Sequence, residues 1–162
     1  MGCGWFGAII GGMTEANPSG NGPRTVVYTQ RVEFGDCDPA RIVWFPNFFR
    51  WIDAASRHFF VQCGVPSWHE TEATRGIIGT PLVDTHARFL RPASYGDALQ
   101  IDSFVPEWRR KSFVMRHSVR RGEDTLCEIT EIRVFARRKG DGSDPHAIEA
   151  VPVPEDWRAL CE

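Results

Sequence analysis

One long, mostly apolar segment constrains the fold of this chain more than any other. It opens with Pro46, which suits the first turn of a helix because its missing N–H group is not needed there. Apolar side chains then recur at helical spacings of three and four, at Phe48, Ile52, Ala55, Phe59 and Cys63, and the stripe is widened by Phe49, Trp51 and Phe60. Gly64 and Pro66 end the helix. A helix that is apolar on most sides is expected to be nearly surrounded by the rest of the domain.

An acidic turn leads into this helix. Val32-Glu33-Phe34 is typical of a strand end, and Gly35-Asp36-Cys37-Asp38-Pro39 has the composition of a tight turn. The unpaired N–H groups and the positive dipole at a helix start favour an anion or a developing oxyanion. Asp38 is therefore the candidate catalytic carboxylate. The alternative is that Asp36 and Asp38 only form an Asx-turn and a cap, and the turn alone does not define a reaction.

Composition limits the classes of function. A chain of 162 residues with 42% apolar and 25% charged residues fits one globular domain, and a net charge of −2 gives no general attraction to nucleic acid. The cysteines are scattered without a C-x-x-C pair, which favours free thiols in a reducing cytoplasm, and they lie at Cys3, Cys37, Cys63, Cys127 and Cys161. No His-x-His, His-Glu-x-x-His or Gly-x-Ser-x-Gly motif occurs, so neither a metal site nor a serine hydrolase is expected.

The chain divides into an extension and one domain. Residues 1–24 are rich in Gly, Asn and Pro and predict a flexible N-terminal extension, without the basic region of a signal peptide or the length of a membrane anchor. We expect Met13 to be the natural start. Residues 25–162 then form a single domain.

Strand patterns follow the helix. Strands are predicted at residues 25–34, 79–90, 98–108, 112–121 and 125–138, with a short strand and a final helical turn between 147 and 161. Residues 66–76 are expected to be a connection that carries Trp68. One long helix followed by hairpin-connected strands predicts an α+β fold with an antiparallel sheet.

Several motifs, in one order, resemble a known family. They are Glu33–Ala40, Ile42–Trp44, Pro46–Asn47, Arg50–Arg57, Arg75–Ile77, Gly79–Pro81, Glu107–Phe113, Arg116–Val119, Glu131–Ala136 and Ala147–Glu149. Together they resemble the 4-hydroxybenzoyl-CoA thioesterases of the Pseudomonas type. That resemblance implies a hotdog fold, in which an antiparallel sheet wraps one long central helix. It also implies hydrolysis of an aromatic acyl-CoA to the free acid and coenzyme A.

The resemblance assigns the reacting groups. Asp38 matches the family's catalytic aspartate, which acts as a nucleophile through a mixed anhydride or as a general base. The backbone N–H of Phe45 would polarise the thioester carbonyl. The family carries Tyr at this position, which leaves a backbone donor unaffected. Arg41 stands where Gly is usual, and it could lower the pKa of Asp38, contact substrate or point to solvent.

The resemblance also assigns substrate contacts. Trp68 and Thr80 match positions near the family's acyl site, where an indole could pack against an aromatic ring. The alternatives are a core Trp and an ordinary strand Thr. Asp53 could accept a hydrogen bond from a ring hydroxyl, or it could pair with a local cation such as Arg50 or Arg57.

A basic cluster, Arg109, Arg110 and Lys111, follows Trp108 between two strands. Taken alone it is typical of a solvated turn, but the family binds the phosphates of coenzyme A with this segment. The resemblance further implies no metal or redox cofactor, and a cytoplasmic homotetramer built from hotdog dimers with active sites between subunits. A thioesterase for a short aliphatic or dihydroxynaphthoyl group, or a non-catalytic acyl-CoA-binding protein, remains an alternative.

Overall fold

A central helix packs against a seven-stranded antiparallel sheet in this chain. The computed structural model describes residues 22–140, 144 and 146–162. This is the α+β hotdog arrangement that the resemblance implies. The elements are β1 (Val26–Arg31), α1 (Pro46–Gln62), α2 (Trp68–Arg75), β2 (Ile77–Gly79), β3 (Leu82–Phe89), β4 (Ala98–Trp108), β5 (Ser112–Arg121), β6 (Asp124–Arg138), β7 (Ile148–Val151) and α3 (Glu155–Cys161).

The sheet runs from β1 through β4 and β5 to β6. Strand β3 pairs with the first part of β6. Strands β2 and β7 both pair with the last residues of β6. Strand β3 has no second partner among the residues that the structure describes, so one long edge of the sheet is open. The side chains of this edge strand are mostly exposed.

Helix α1 begins and ends where the sequence predicts. Phe45 is its N-cap, Pro46 its first residue, and Gly64 leaves the helix with a φ of 91°. The expectation that α1 is nearly surrounded is only partly right, because Asp53 and Val61 lie on an exposed face of the helix. The sheet covers one side of α1, and the exposed residues lie on the other side.

The core is divided by a polar seam. One apolar cluster packs around the first half of α1 and includes Phe48 and Ile52, while a second packs around its end and includes Phe59 and Phe60. Between them lie buried polar side chains from α1, β4, β5 and β6, which we call the seam: Ser56, Ser103, His117, Glu131 and Arg133. No buried side-chain polar atom in the described residues lacks a hydrogen-bond partner, so the seam is fully paired.

Two predicted strands are shorter than expected. Strand β1 ends at Arg31, because Glu33 and Asp36 close a capping box that folds Phe34–Asp36 into a 3-10 turn. The strand predicted at 79–90 begins at Leu82, since Gly79 has a φ of 139° and Pro81 lacks a ladder donor. By contrast, the bounds predicted for β4 and β5 are confirmed, and the pairing of these strands shifts register between Phe104 and Glu107.

Helix α2 is the element that the sequence analysis missed, because its segment was expected to be a connection. Its N-cap Ser67 accepts a hydrogen bond from the Glu70 N–H, and Gly76 closes it in the left-handed region with a φ of 70°. The helix carries few apolar residues, so its periodic signal is weak. Its position places Trp68 on a helix.

The N-terminal extension lies outside the described residues up to position 21, so its flexibility and the start at Met13 remain predictions. Arg24, at its end, donates hydrogen bonds to the carbonyls of Gln62 and Leu160, where α1 and α3 end. None of the helices in the described chain is long and apolar enough to cross a membrane.

Candidate active site

The buried Asp36 holds the acidic turn against the start of α1. Its carboxylate accepts the Glu33 N–H at 2.9 Å and pairs with the Arg50 guanidinium at 2.8 Å. Its carbonyl accepts the Trp44 N–H at 2.9 Å and the Asn47 side-chain amide at 2.8 Å. Both carboxylate oxygens of Asp36 are thus paired within the subunit, and these contacts hold the acidic turn in place.

Asp38 is half-buried and has one carboxylate oxygen free. Oδ1 accepts the Ala40 N–H at 2.8 Å, which is an Asx-turn. The Asp38 N–H donates to the Ile42 carbonyl at 2.9 Å, so the backbone is anchored too. Oδ2 has no hydrogen-bond partner in the described part of the chain. Asp38 therefore forms the Asx-turn with one carboxylate oxygen and keeps the other available.

Arg41 adopts a backbone conformation that L-residues avoid. Its φ is 65°, and it is the only non-glycine residue in the described chain with a positive φ. Its N–H donates to the Asp38 carbonyl at 2.8 Å, which closes the turn. The side chain is exposed and makes no hydrogen bond within the described residues. A glycine at this position would adopt the same conformation without strain.

The helix start offers one free donor. Pro46 has no N–H, the Asn47 N–H donates to the Trp44 carbonyl at 2.9 Å, and the Phe48 N–H donates to the Phe45 carbonyl at 3.1 Å. The Phe45 N–H has no acceptor among the residues described. It lies at the positive end of a helix of 17 residues, where a developing oxyanion would be stabilised.

Arg133 brings Asp53 and Thr80 together. Its Nη2 donates to Asp53 Oδ1 at 2.9 Å, and its Nη1 donates to the Thr80 carbonyl at 3.1 Å. The expected local partners of Asp53 are wrong, because Arg50 points to Asp36 and no contact joins Arg57 to Asp53 in the described chain. The Asp53 side chain is also 73% exposed.

The sequence analysis missed the functional potential of Glu131 and Arg133, although a signal existed. In β6 the inward-facing positions alternate, and this phase runs through Ile129 and Phe135. Charged residues at the two inward positions between them must be buried, and buried charges are almost always paired.

Burial and hydrogen bonding shift the pKa values of Glu131 and His117. Burial alone would raise the pKa of Glu131, but hydrogen bonds from His117 and Arg133 outweigh it and lower the pKa to about 2. Burial lowers the pKa of His117, more than its hydrogen bond to Glu131 raises it, so we assign a neutral imidazole. Its Nε2–H then donates to Glu131 at 3.2 Å, and Ser103 donates to its Nδ1 at 2.8 Å.

Trp68 packs against the end of α1 and against Gly79, next to Thr80. Its ring is 5.6 Å from that of Phe60, and it packs against Gly79, where an added Cβ would lie 3.7 Å from the indole. It lines a cavity of about 500 Å³, together with Tyr28, Ala54, Arg57, His58, Phe60, Val61, Pro66, Ser67 and His69. Asp38, Phe45 and Thr80 do not line this cavity. Of the predicted acyl-site residues, only Trp68 therefore lines this cavity.

The basic cluster lies on the β4–β5 turn, which the Arg109 N–H closes by donating to the Ser112 carbonyl at 2.8 Å. The Arg109 side chain pairs with Glu107 at 2.8 Å, and this hydrogen bond lowers the pKa of Glu107. Lys111 donates to the Ala150 carbonyl at 2.8 Å. The exposed Arg110 has no ion pair within the described residues.

The basic cluster and the acidic turn lie at opposite ends of α1. Trp108 packs against the core cluster around the end of α1, and Cys37 packs against the cluster around its start. In the part of the chain that the structure describes, no group of three or more His, Cys, Asp or Glu side chains could hold a metal ion.

Comparison with known proteins identifies relatives across most of the chain. The family model of the thioesterase-like superfamily matches residues 32–160. A 4-hydroxybenzoyl-CoA thioesterase from Pseudomonas sp. strain CBS-3 is 51% identical over 143 residues, which cover 85% of this chain and 98% of the relative. A 1,4-dihydroxy-2-naphthoyl-CoA hydrolase from Synechococcus sp. strain WH7803 is 30% identical over 75% of this chain and 84% of its own length.

A solved structure agrees with these sequence matches. It is an aspartate-to-asparagine mutant of a 4-hydroxybenzoyl-CoA thioesterase complexed with 4-hydroxybenzoyl-CoA. It aligns with a TM-score of 0.78 and 48% identity, over 85% of this chain and 99% of its own. The hotdog fold is thus supported by sequence and by shape.

Proposed function

The chain belongs to the thioesterase-like superfamily, and from this we propose that it hydrolyses an aromatic acyl-CoA of the 4-hydroxybenzoyl type to the free acid and coenzyme A. The observation that carries the proposal is Asp38, a half-buried carboxylate with one oxygen anchored by Ala40 and the other free. The relative that was solved with intact substrate had an aspartate replaced by asparagine, which agrees with a carboxylate that is needed for turnover.

Two routes are open to Asp38. As a nucleophile, it would attack the thioester carbonyl and release the CoA thiolate, leaving a mixed anhydride that water then hydrolyses. As a general base, it would take a proton from water as the water oxygen attacks the same carbonyl. In both routes the carbonyl oxygen gains negative charge. The free Phe45 N–H at the start of α1 would stabilise that charge.

Substrate contacts are proposed from the same resemblance. Asp53 would accept a hydrogen bond from a ring hydroxyl, and its exposed carboxylate supports this role. Thr80 is linked to Asp53 because Arg133 donates hydrogen bonds to both residues. Trp68 would pack against the acyl group, which the position of its indole beside Gly79, next to Thr80, supports.

Coenzyme A would bind at the basic cluster. Arg110 is exposed and unpaired in the described residues, and Arg109 and Lys111 each keep further N–H donors for phosphate oxygens. Coenzyme A enters as part of the substrate, and we expect no metal or redox cofactor, because a carboxylate and a backbone donor suffice for thioester hydrolysis.

We further propose a cytoplasmic homo-oligomer with active sites between subunits. Strand β3 offers an unpaired edge, and its exposed apolar side chains Leu82, Val83 and Phe89 would be buried if a second copy paired there. Such pairing forms a dimer with one continuous sheet, and two dimers would form a tetramer. The separation of Asp38 from Arg109 within one subunit supports a site that spans two chains.

The test follows thiol release from 4-hydroxybenzoyl-CoA, benzoyl-CoA, 1,4-dihydroxy-2-naphthoyl-CoA and a short aliphatic acyl-CoA. Asp38→Asn keeps the shape of the side chain but removes the nucleophile and base, so aryl turnover should fall at least a hundredfold. Asp156→Asn, a carboxylate on the exposed surface of α3, is the matched control and should keep full activity.

The outcomes separate the alternatives. Preference for the naphthoyl ester would favour the activity named for the Synechococcus relative, and cleavage of the aliphatic ester alone would refute an aromatic substrate. Binding of all four esters without thiol release would favour a non-catalytic acyl-CoA-binding protein. Full turnover by Asp38→Asn would remove the assigned carboxylate from the reaction.

A further inference from the structure

Arg133 connects three parts of the fold through one guanidinium. It lies on β6 with 5% of its surface exposed. Its Nε donates to Glu131 Oε2 at 2.8 Å and its Nη2 to Glu131 Oε1 at 3.1 Å, so one edge of the guanidinium is held by a buried carboxylate. The remaining donors reach Asp53 on α1 and the Thr80 carbonyl before β3.

The inner side of this arrangement is rigid. Glu131 is held by Ser56 at 3.1 Å and by His117 at 3.2 Å, and all three side chains are at most 2% exposed. A guanidinium is planar, so two bonds to Glu131 fix the direction of its outer edge. That edge points to Asp53 and Thr80.

The outer side of the arrangement is open. Asp53 uses Oδ1 for Arg133, and its side chain is 73% exposed, so Oδ2 remains available to a ligand. An unsupported Asp at this exposed position on a helix would sample several rotamers. The ion pair with Arg133 selects one of these rotamers. Arg133 also donates to the Thr80 carbonyl, which holds the Thr80 backbone beside Asp53.

We propose that Arg133 is a positioning residue that sets acyl-group selectivity by fixing the Asp53 carboxylate in one position, beside the Thr80 carbonyl, for a ring hydroxyl. The proposal rests on the proposed function. It makes Arg133 act through Asp53 rather than through contact with the substrate. Its effect should therefore appear in discrimination between esters with and without the hydroxyl, and not in thioester hydrolysis as such.

Arg133→Lys is the main test. Lysine keeps the charge beside Glu131, but its single nitrogen cannot reach Glu131, Asp53 and Thr80 together. The ratio of kcat/KM for 4-hydroxybenzoyl-CoA over benzoyl-CoA should fall about tenfold, the effect of one charged hydrogen bond, with benzoyl-CoA turnover nearly unchanged. Arg137→Lys, the same change at an exposed ion pair on the same strand, should leave the ratio unchanged.

A double-mutant cycle tests whether Arg133 acts through Asp53. Asp53→Asn should lower the same ratio, and the double variant Asp53→Asn/Arg133→Lys should be no worse than Asp53→Asn alone. If Arg133→Lys does not fold, the pair Glu131→Met/Arg133→Met removes both charges and keeps the volume, a change that cores often tolerate. That pair should show the same tenfold loss.

Three results would overturn the proposal. They are an unchanged ratio in a folded Arg133 variant, an equal loss for both esters, and effects of Arg133 and Asp53 that multiply. Calorimetric binding of both esters to Asp38→Asn, with and without Arg133→Lys, measures the selectivity without turnover. It therefore tests the positioning role even if the wild type releases no thiol, and failure to bind either ester would overturn both proposals.

Discussion

The seam should make the protein sensitive to acid through Glu131. Its folded pKa of about 2 lies below the ordinary value of 4.5, so folding favours the ionised form. Integrated over that difference, Glu131 contributes about 3 kcal/mol to the free energy of unfolding at neutral pH. Because the folded pKa is depressed, this contribution is complete above about pH 5 and is lost as the pH falls from 4.5 towards 2.

His117 also lowers the stability of the folded protein as the pH falls. Its pKa is lowered by burial, so the unfolded chain takes up a proton below the ordinary value of 6.5 before the folded protein does. Stability therefore also declines as the pH falls below about 6.5. His117 is present in the wild type and in a Glu131→Gln variant, so its contribution largely cancels in the stability difference between these two proteins.

The assay is urea unfolding of the wild type and Glu131→Gln, followed by tryptophan fluorescence at one protein concentration and at several pH values. Glutamine does not titrate, so the stability difference between the two proteins isolates Glu131. That difference should shrink by about 2 kcal/mol between pH 5 and pH 3. A difference that stays constant over this range would refute the depressed pKa and the ionised Glu131–Arg133 pair.

Two further predictions concern the turn and the sheet edge. Arg41→Gly should raise the free energy of unfolding by up to about 1 kcal/mol, because glycine relieves the strain at a φ of 65° although it loosens the unfolded chain; an unchanged or lower urea midpoint would contradict this. Val83→Lys places a charge on the exposed edge strand and should shift the protein to monomers in sedimentation, with loss of thioesterase activity; an active monomer would exclude a site shared between subunits.

Elements with strong periodicity were predictable from the sequence. Helix α1 and strands β4 and β5 have the predicted bounds, since each carries a continuous apolar pattern between clear breaks. Helix α2 was not predicted because it is short and polar, and its start depends on one serine cap. The early end of β1 depends on the side chain of Asp36 returning to the Glu33 N–H, a contact that no propensity encodes.

The site residues were nominated in two ways. Turn composition before a helix start pointed to Asp38, whereas the Phe45 backbone donor was assigned only by the family resemblance, and both roles stay predictions. The pairing of Asp53 with Arg133 joins residues 80 positions apart, whereas the sequence offered only the nearby Arg50 and Arg57 as possible partners. Long-range pairs of this kind depend on how α1 lies across the sheet, which the pattern of either element alone does not determine.

The length of α1 bears on how the site is assembled. Its 17 residues span about 25 Å, with the acidic turn at its start and the core cluster that holds Trp108 around its end. A single subunit therefore presents its carboxylate and its basic cluster at separate ends of one rigid helix. An antiparallel partner paired along β3 would reverse that order and could bring the basic cluster of one chain towards the carboxylate of the other. On this geometry, dilution below the dissociation constant of the dimer should reduce activity per chain, because association would complete the site.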